Sequence, residues 1–246
     1  MAELQLGLND RALSLCQRLV DAAQAMRVRV HSTANGTRLI DCGVEATGGL
    51  QAGVALAEIC LAGLADVRIV PADTEVWSGA AVQVATDHPV AACIAAQYAG
   101  WSVGDNDFFA MGSGPMRAVA ASEDIFQQIG HTESADHVVG ILEGSRLPPE
   151  GVCQNIASRC RVPSDRLTLL IAATSSLAGT VQIVARSVET ALHKLHELGF
   201  DLRQVVSGYG TAPLPPVAAK ALEGVGRTND AILYGGQVTL WLRADD

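Results

Sequence analysis

From residue 138 onward the chain alternates short apolar runs with amphipathic ones, and this rhythm restricts the fold more than any other feature. Residues 138–142 read as a strand, 149–160 as a helix, 167–172 as a strand, and 180–198 as a long helix that stops at Gly199. Residues 205–206 and 233–242 supply later strands. Alternation of this kind needs crossover connections, which lay helices over the faces of a parallel or mixed sheet.

The first half carries the same vocabulary with more hairpins. Residues 8–27 read as a helix that Asn9 or Asp10 can cap. Strands at 28–31 and 38–41 flank the turn signal Ala34-Asn35-Gly36. Residues 49–64 form a second helix, small on one side at Ala52, Gly53, Ala55 and Ala57, and so able to lie close to a neighbour. Strands follow at 67–70 and 81–85, then a short buried helix at 90–99. Residues 108–121 mix apolar positions with a turn at Gly112-Ser113-Gly114-Pro115. No linker, low-complexity tract or fixed-period repeat interrupts the chain. The fold class expected is α/β, with mixed sheets covered by helices and two sub-domains, 1–103 and 104–246, divided near the turn at 101–105.

Composition limits the function classes. Apolar residues make up 49% of 246, enough for a sizeable core, and aromatics only 4%. That core must be aliphatic, with close backbone approach at glycines. The formal charge of −9 argues against a nucleic-acid partner, which draws its affinity from Lys and Arg. Cys16, Cys42, Cys60, Cys93, Cys153 and Cys160 form no Cys-x-x-Cys pair and read as buried, reduced thiols. The start, Met1-Ala2-Glu3-Leu4, lacks a basic region followed by an apolar stretch, so no signal peptide is expected. No run reaches bilayer length. A cytoplasmic location and no membrane partner are the expectations.

Three segments can carry chemistry. On the helix at 180–198, Val181, Val184, Val188, Leu192 and Leu195 share one side. Gln182, Arg186, Glu189, His193 and Glu197 share the other. Arg186 and Glu189 are three apart and therefore neighbours. The pattern alone fits a solvated face with a surface ion pair. It also fits a carboxylate tuned between burial, which raises its pKa, and a guanidinium, which lowers it. The second segment is the run 106–118, whose Gly-Ser-Gly-Pro turn exposes N–H groups that can hold an anion, with Arg117 following. The third comprises the Gly-rich stretches 207–213 and 226–236, read as turns beside strands. No phosphate-loop Gly-Lys-Ser/Thr occurs.

Taken together, these segments resemble the methenyltetrahydromethanopterin cyclohydrolase family of methanogens and of methylotrophic and some other bacteria. The matching runs are Gly112-Ser113-Gly114-Pro115-Met116-Arg117-Ala118, the helical stretch from Ala185 to Glu197 around Arg186 and Glu189, and Gly226-Arg227-Thr228-Asn229-Asp230-Ala231-Ile232-Leu233-Tyr234-Gly235-Gly236. The N-terminal Leu8-Asn9-Asp10-Arg11-Ala12, Asp41-Cys42-Gly43 and Glu58-Ile59-Cys60 match too, so the resemblance covers nearly the whole chain. Two departures stand out. Met116 replaces the family's usual Ala, and family members continue for several tens of residues beyond the strand that ends near Arg243.

The resemblance implies two α/β sub-domains with the ligand pocket between them, a homotrimer, and a role in one-carbon metabolism. It implies hydrolysis of 5,10-methenyl-tetrahydromethanopterin to the 5-formyl compound, with the pterin as both carrier and substrate, no further cofactor and no metal. On the matching positions, Glu189 would be the base, Arg186 would orient it and adjust its pKa, and Ser113, Arg117 and Glu143 would contact the substrate. Two rivals remain at this point. One is a phosphate-transfer enzyme using the Gly-rich turns. The other is a non-catalytic homologue that binds the pterin or a partner subunit.

Overall fold

A computed structural model describes residues 6–105 and 107–243. Met1–Leu4, Asn106 of the Gly-Ser-Gly-Pro segment and Asp246 lie outside the described residues. In chain order the elements are α1 (Leu8–Asp21), α2 (Ala23–Met26), β1 (Arg29–Ser32), β2 (Arg38–Gly43), α3 (Leu50–Cys60), β3 (Asp66–Pro71) and β4 (Ala80–Thr86). A π-helix (Val90–Gln97), β5 (Trp101–Gly104), β6 (Phe109–Ser113), α4 (Met116–Ala120), α5 (Ile125–Ile129), β7 (Val138–Glu143) and α6 (Glu150–Arg159) follow. The chain continues through β8 (Leu167–Ala172), α7 (Leu177–Val184), α8 (Ser187–Glu197), β9 (Val205–Pro213), α9 (Ala221–Gly235) and β10 (Gln237–Leu242).

The architecture is mixed α/β with two sheets, as the alternation predicts. A six-stranded sheet has the order β1-β2-β8-β7-β6-β5, and a four-stranded one the order β10-β9-β4-β3. In the larger sheet β2, β8 and β7 are parallel, while β1, β6 and β5 attach antiparallel. The smaller sheet is antiparallel throughout. Each sheet takes strands from both sides of residue 103.

Strand alternation divides the core. Leu39, Leu142, Leu169 and Ile171 point to one face of the large sheet and pack on Val152 and Ile156 of α6. Their neighbours Ile40, Cys42, Ile141 and Leu170 point to the other face, against Cys16 of α1 and Leu56 of α3. Burial on both faces explains why β7 and β8 read as unbroken apolar runs. On their far side α3 and α7 contribute Ala57, Val181 and Val184 to a third cluster, which includes the π-helix, α8, and Val82 and Val84 of the small sheet. Helices α3 and α7 thus form a layer between the sheets. Their close approach is possible at Gly53, where a Cβ would lie 2.6 Å from Val181 Cβ.

Six local expectations need correction. The segment 101–105, read as a turn, holds β5, and 207–213, also read as a turn, completes β9. The helix expected at 8–27 is interrupted at Ala22, and α2 ends at Arg27 in the left-handed region (φ 56°). Asn9 does not cap α1. It is buried, and its Oδ1 accepts from Val139 N (2.9 Å) while Nδ2 donates to Pro115 O (3.1 Å), joining α1 to β7 and to the α4 turn. The stretch 226–236, read as a turn, lies almost wholly in α9, and the last strand starts only at Gln237. The long helix at 180–198 is two helices, parted at Ala185 and Arg186.

Candidate active site

The break between α7 and α8 is where the polar stripe turns inward. Gln182, Arg186 and Glu189 are each 5% exposed or less, and only beyond them does the stripe emerge, at exposed Glu197. The surface ion-pair reading therefore fails. The inward turn depends on β9: a Cβ at Gly208 would lie 2.8 Å from Val188 Cγ1, and one at Gly210 would lie 2.5 Å from Ser187 Oγ. These two glycines let the first turn of α8 press onto the strand.

Arg186 does not pair with Glu189. Its Nη2 donates to Glu143 Oε1 at 2.7 Å and to Ser113 Oγ at 3.2 Å, and its Nη1 donates to the Gln97 carbonyl. Glu143 closes β7, beside Ala172 at the end of parallel β8. The carboxyl ends of parallel strands are the usual edge for a ligand crevice in such sheets. Glu143 is partly exposed there, with its side chain at 15%, so this ion pair reaches solvent.

Glu189 makes no hydrogen bond or ion pair with a described residue. Burial pushes its carboxyl up, Arg186 and then Arg117 pull it down, Glu143 raises it further, and it comes to rest at about 7. Such a group is half ionised near neutrality, the condition under which a carboxylate serves as both acceptor and donor of a proton.

Ser113 and Arg117 sit deeper than expected. Ser113 is fully buried beneath Arg186 and lies 3.5 Å from the Cys60 thiol. Arg117 is also fully buried: its Nη2 pairs with Glu123 Oε2 at 2.8 Å, and its Nη1 donates to the carbonyls of Ile94, Ala95 and Ala96 at 2.7–3.5 Å. Its guanidinium also lies 4.9 Å from the centre of the Tyr98 ring, which stacks on His193. The Gly-Ser-Gly-Pro turn offers no open anion nest. Residues 112–119 are buried, and Gly114 N donates to Ala96 O at 2.8 Å. Ser113 supports Arg186, and Arg117 supports the end of the π-helix.

Sequence reasoning missed Gln97 and Tyr98. The available signal was a polar pair closing the otherwise small and apolar run Val90-Ala91-Ala92-Cys93-Ile94-Ala95-Ala96. Among the described residues one group, His31, Asp41 and Glu45, brings three metal-type ligand atoms within 4.8 Å of one another. Asp41 already accepts four backbone N–H bonds at 2.7–3.0 Å, from Gly43, Val44, Glu45 and Ala46, which fill its lone-pair sites. It locks the loop after β2.

A buried carboxylate poised near neutrality beside two guanidinium groups can move one proton. Comparison with known proteins agrees with that chemistry. The family model described as Cyclohydrolase (MCH) matches residues 7–246. A methenyltetrahydromethanopterin cyclohydrolase of Rhodopirellula baltica is 48% identical over 243 residues, covering 96% of this chain and 73% of that protein. One from Methylobacterium organophilum is 46% identical over 94% of this chain and 73% of its own length. One from Methanosarcina barkeri is 39% identical over 98% and 75%. The chain spans about three quarters of the length of these relatives.

Proposed function

Because this chain belongs to the methenyltetrahydromethanopterin cyclohydrolase family, we propose that it hydrolyses the methenyl bridge of 5,10-methenyl-tetrahydromethanopterin to the 5-formyl compound, with Glu189 handling the proton. One observation carries the proposal: a buried carboxylate with no hydrogen-bond or ion-pair partner among the described residues, poised at about 7, is coupled to an ion pair at the carboxyl edge of the parallel strands.

The bridging carbon shares a positive charge with two nitrogens and is already electrophilic. Catalysis needs a held water and a proton acceptor rather than an added electrophile. Ionised Glu189 takes a proton as water adds to the carbon. As the bond from carbon to the leaving nitrogen breaks, the protonated carboxyl returns that proton to the nitrogen. The hydroxyl proton replaces it on Glu189 and passes to solvent. One hydrogen ion is released per bridge opened.

Arg186 and Glu143 set the field. A bare buried carboxylate would stabilise the cationic substrate in its ground state, which slows attack. The Arg186 guanidinium moderates this and keeps Glu189 ionisable, while Glu143 holds Arg186 and faces the substrate. No metal or second cofactor enters the reaction. The six free cysteines, all buried, support a reducing cytoplasm, and no described helix is long and apolar enough to cross a membrane. A homotrimer belongs to the same proposal, supported by apolar side chains left outward on α9 and β10, including Leu222, Leu233 and Trp241.

The test is the near-ultraviolet absorption of the methenyl coenzyme mixed with the chain. The protein should accelerate its decay, and Glu189→Gln should remove most of that turnover, a loss of about a hundredfold or more, while binding remains. Decay at the uncatalysed rate with wild-type protein that still binds would favour the binding homologue. Near-normal turnover in Glu189→Gln would dismiss the residue as the base.

A further inference from the structure

We propose that Gln97 is a positioning residue for the reaction, fixing Arg186 and through it the ionisation of Glu189. The inference rests on the reading of Glu189 as the base. No proline or glycine breaks the helix at residues 185–186. The cause lies across the core. Gln97 is fully buried at the last position of the π-helix. Its Nε2 donates to the Ala185 carbonyl at 3.0 Å, at the residue where α7 ends. Its own carbonyl, free because a helix leaves its last C=O groups without partners, accepts from Arg186 Nη1.

One residue therefore holds both the backbone at the break and the side chain that follows it. The amide orientation is fixed as well, since a flipped amide would set Oε1 against the Ala185 oxygen, acceptor against acceptor. Arg117 takes the preceding carbonyls, Ile94 to Ala96, of the same π-helix. The carboxyl end of this helix thus seats the two guanidinium groups that pull Glu189 down against its burial. Cations are favoured at that end by the helix dipole, and a π-helical turn frees carbonyls that an α-helix would use internally. Gln97 is the link between this carbonyl seat and the helix that carries Arg186 and Glu189.

The test is Gln97→Met, which keeps the chain length and removes the donor to Ala185. With the Ala185 carbonyl released, the break that carries Arg186 is no longer pinned; the Gln97 carbonyl still accepts from Arg186, but the guanidinium shifts in its seat and its downward pull on Glu189 weakens. The acidic limb of the kcat/KM profile should move to higher pH by about one unit, part of the range a neighbouring guanidinium controls. kcat should fall about tenfold to a hundredfold, the scale of a small misplacement at a reacting centre, with KM for the methenyl coenzyme nearly unchanged. Gln97→Asn, whose amide falls one methylene short of Ala185, is read in the same way where Gln97→Met does not fold. A limb that stays in place, whatever happens to kcat, overturns the assignment. So does failure of both variants to fold, which would reduce Gln97 to core packing. If Glu189→Gln is inactive and the limb in Gln97→Met is unmoved, only this inference falls. An active Glu189→Gln removes the base on which it rests.

Discussion

At the scale of single residues, Glu189 is a group that function keeps and stability opposes. Its carboxyl is raised from 4.5 to about 7 in the folded chain, with burial the largest cause. Between these values the folded state binds a proton that the unfolded state has released, so stability falls as pH rises through that window. Above pH 7 the ionised carboxylate costs the fold about 3 kcal/mol. Glu189→Gln, which carries no charge at any pH, should therefore raise the urea midpoint at mildly alkaline pH and change it little below pH about 4.5. An equal effect at both pH values would contradict the burial account. Arg186 and Glu189 were legible as a pair of interest, but their relation was not. Helical spacing makes them neighbours, yet Arg186 bonds to Glu143, 43 residues earlier. No local pattern encodes a partner on another strand. The partners of Arg117 were hidden for a related reason: the π-helix carbonyls that accept from its Nη1 lie more than twenty residues earlier.

At the scale of elements, β2, β4, β7 and β8 were legible to within two residues, whereas β5 and most of β9 were read as turns. Strand β8 was legible to the residue, because burial on both faces writes an unbroken apolar run between turn signals. The break at residues 185–186 was invisible, because it is imposed from outside by Gln97. Helix α9 was hidden by Gly226, Gly235 and Gly236, which read as turns, while its buried face amounts to little more than Gly224 and Thr228. Asn9 was taken for a cap, yet its side chain joins three elements. Asn9→Ala would remove the side-chain acceptor of Val139 N in the core, while Pro115 O would keep Ala118 N as a donor. It should destabilise the chain by about 1–3 kcal/mol, as one unsatisfied buried group does. Turnover per folded molecule should be unchanged, since Asn9 lies outside the Arg186 network. A thermal midpoint equal to that of wild type would show that the link contributes nothing.

At the scale of the molecule, two sheets and the helical layer between them bring residues 97, 143, 186 and 189 to one place. The composition reading survives at this level: an aliphatic core with few aromatics is what allows α3 to lie so close to α7, and α8 to β9. The site relies on charge already present in the substrate, so exhaustive treatment with a chelator should leave the hydrolysis rate unchanged. Activity lost to chelator and restored by zinc would replace the mechanism. The central claim, that a buried carboxylate poised near neutrality takes the proton from water, is tested most directly by kcat/KM for methenyl-coenzyme decay measured from mildly acid to mildly alkaline pH. The rate should rise with pH along a single-proton limb centred at about 7, and the residual activity of Glu189→Gln should show no such limb. A limb centred in the ordinary carboxylate range, or one that persists without Glu189, would contradict the account.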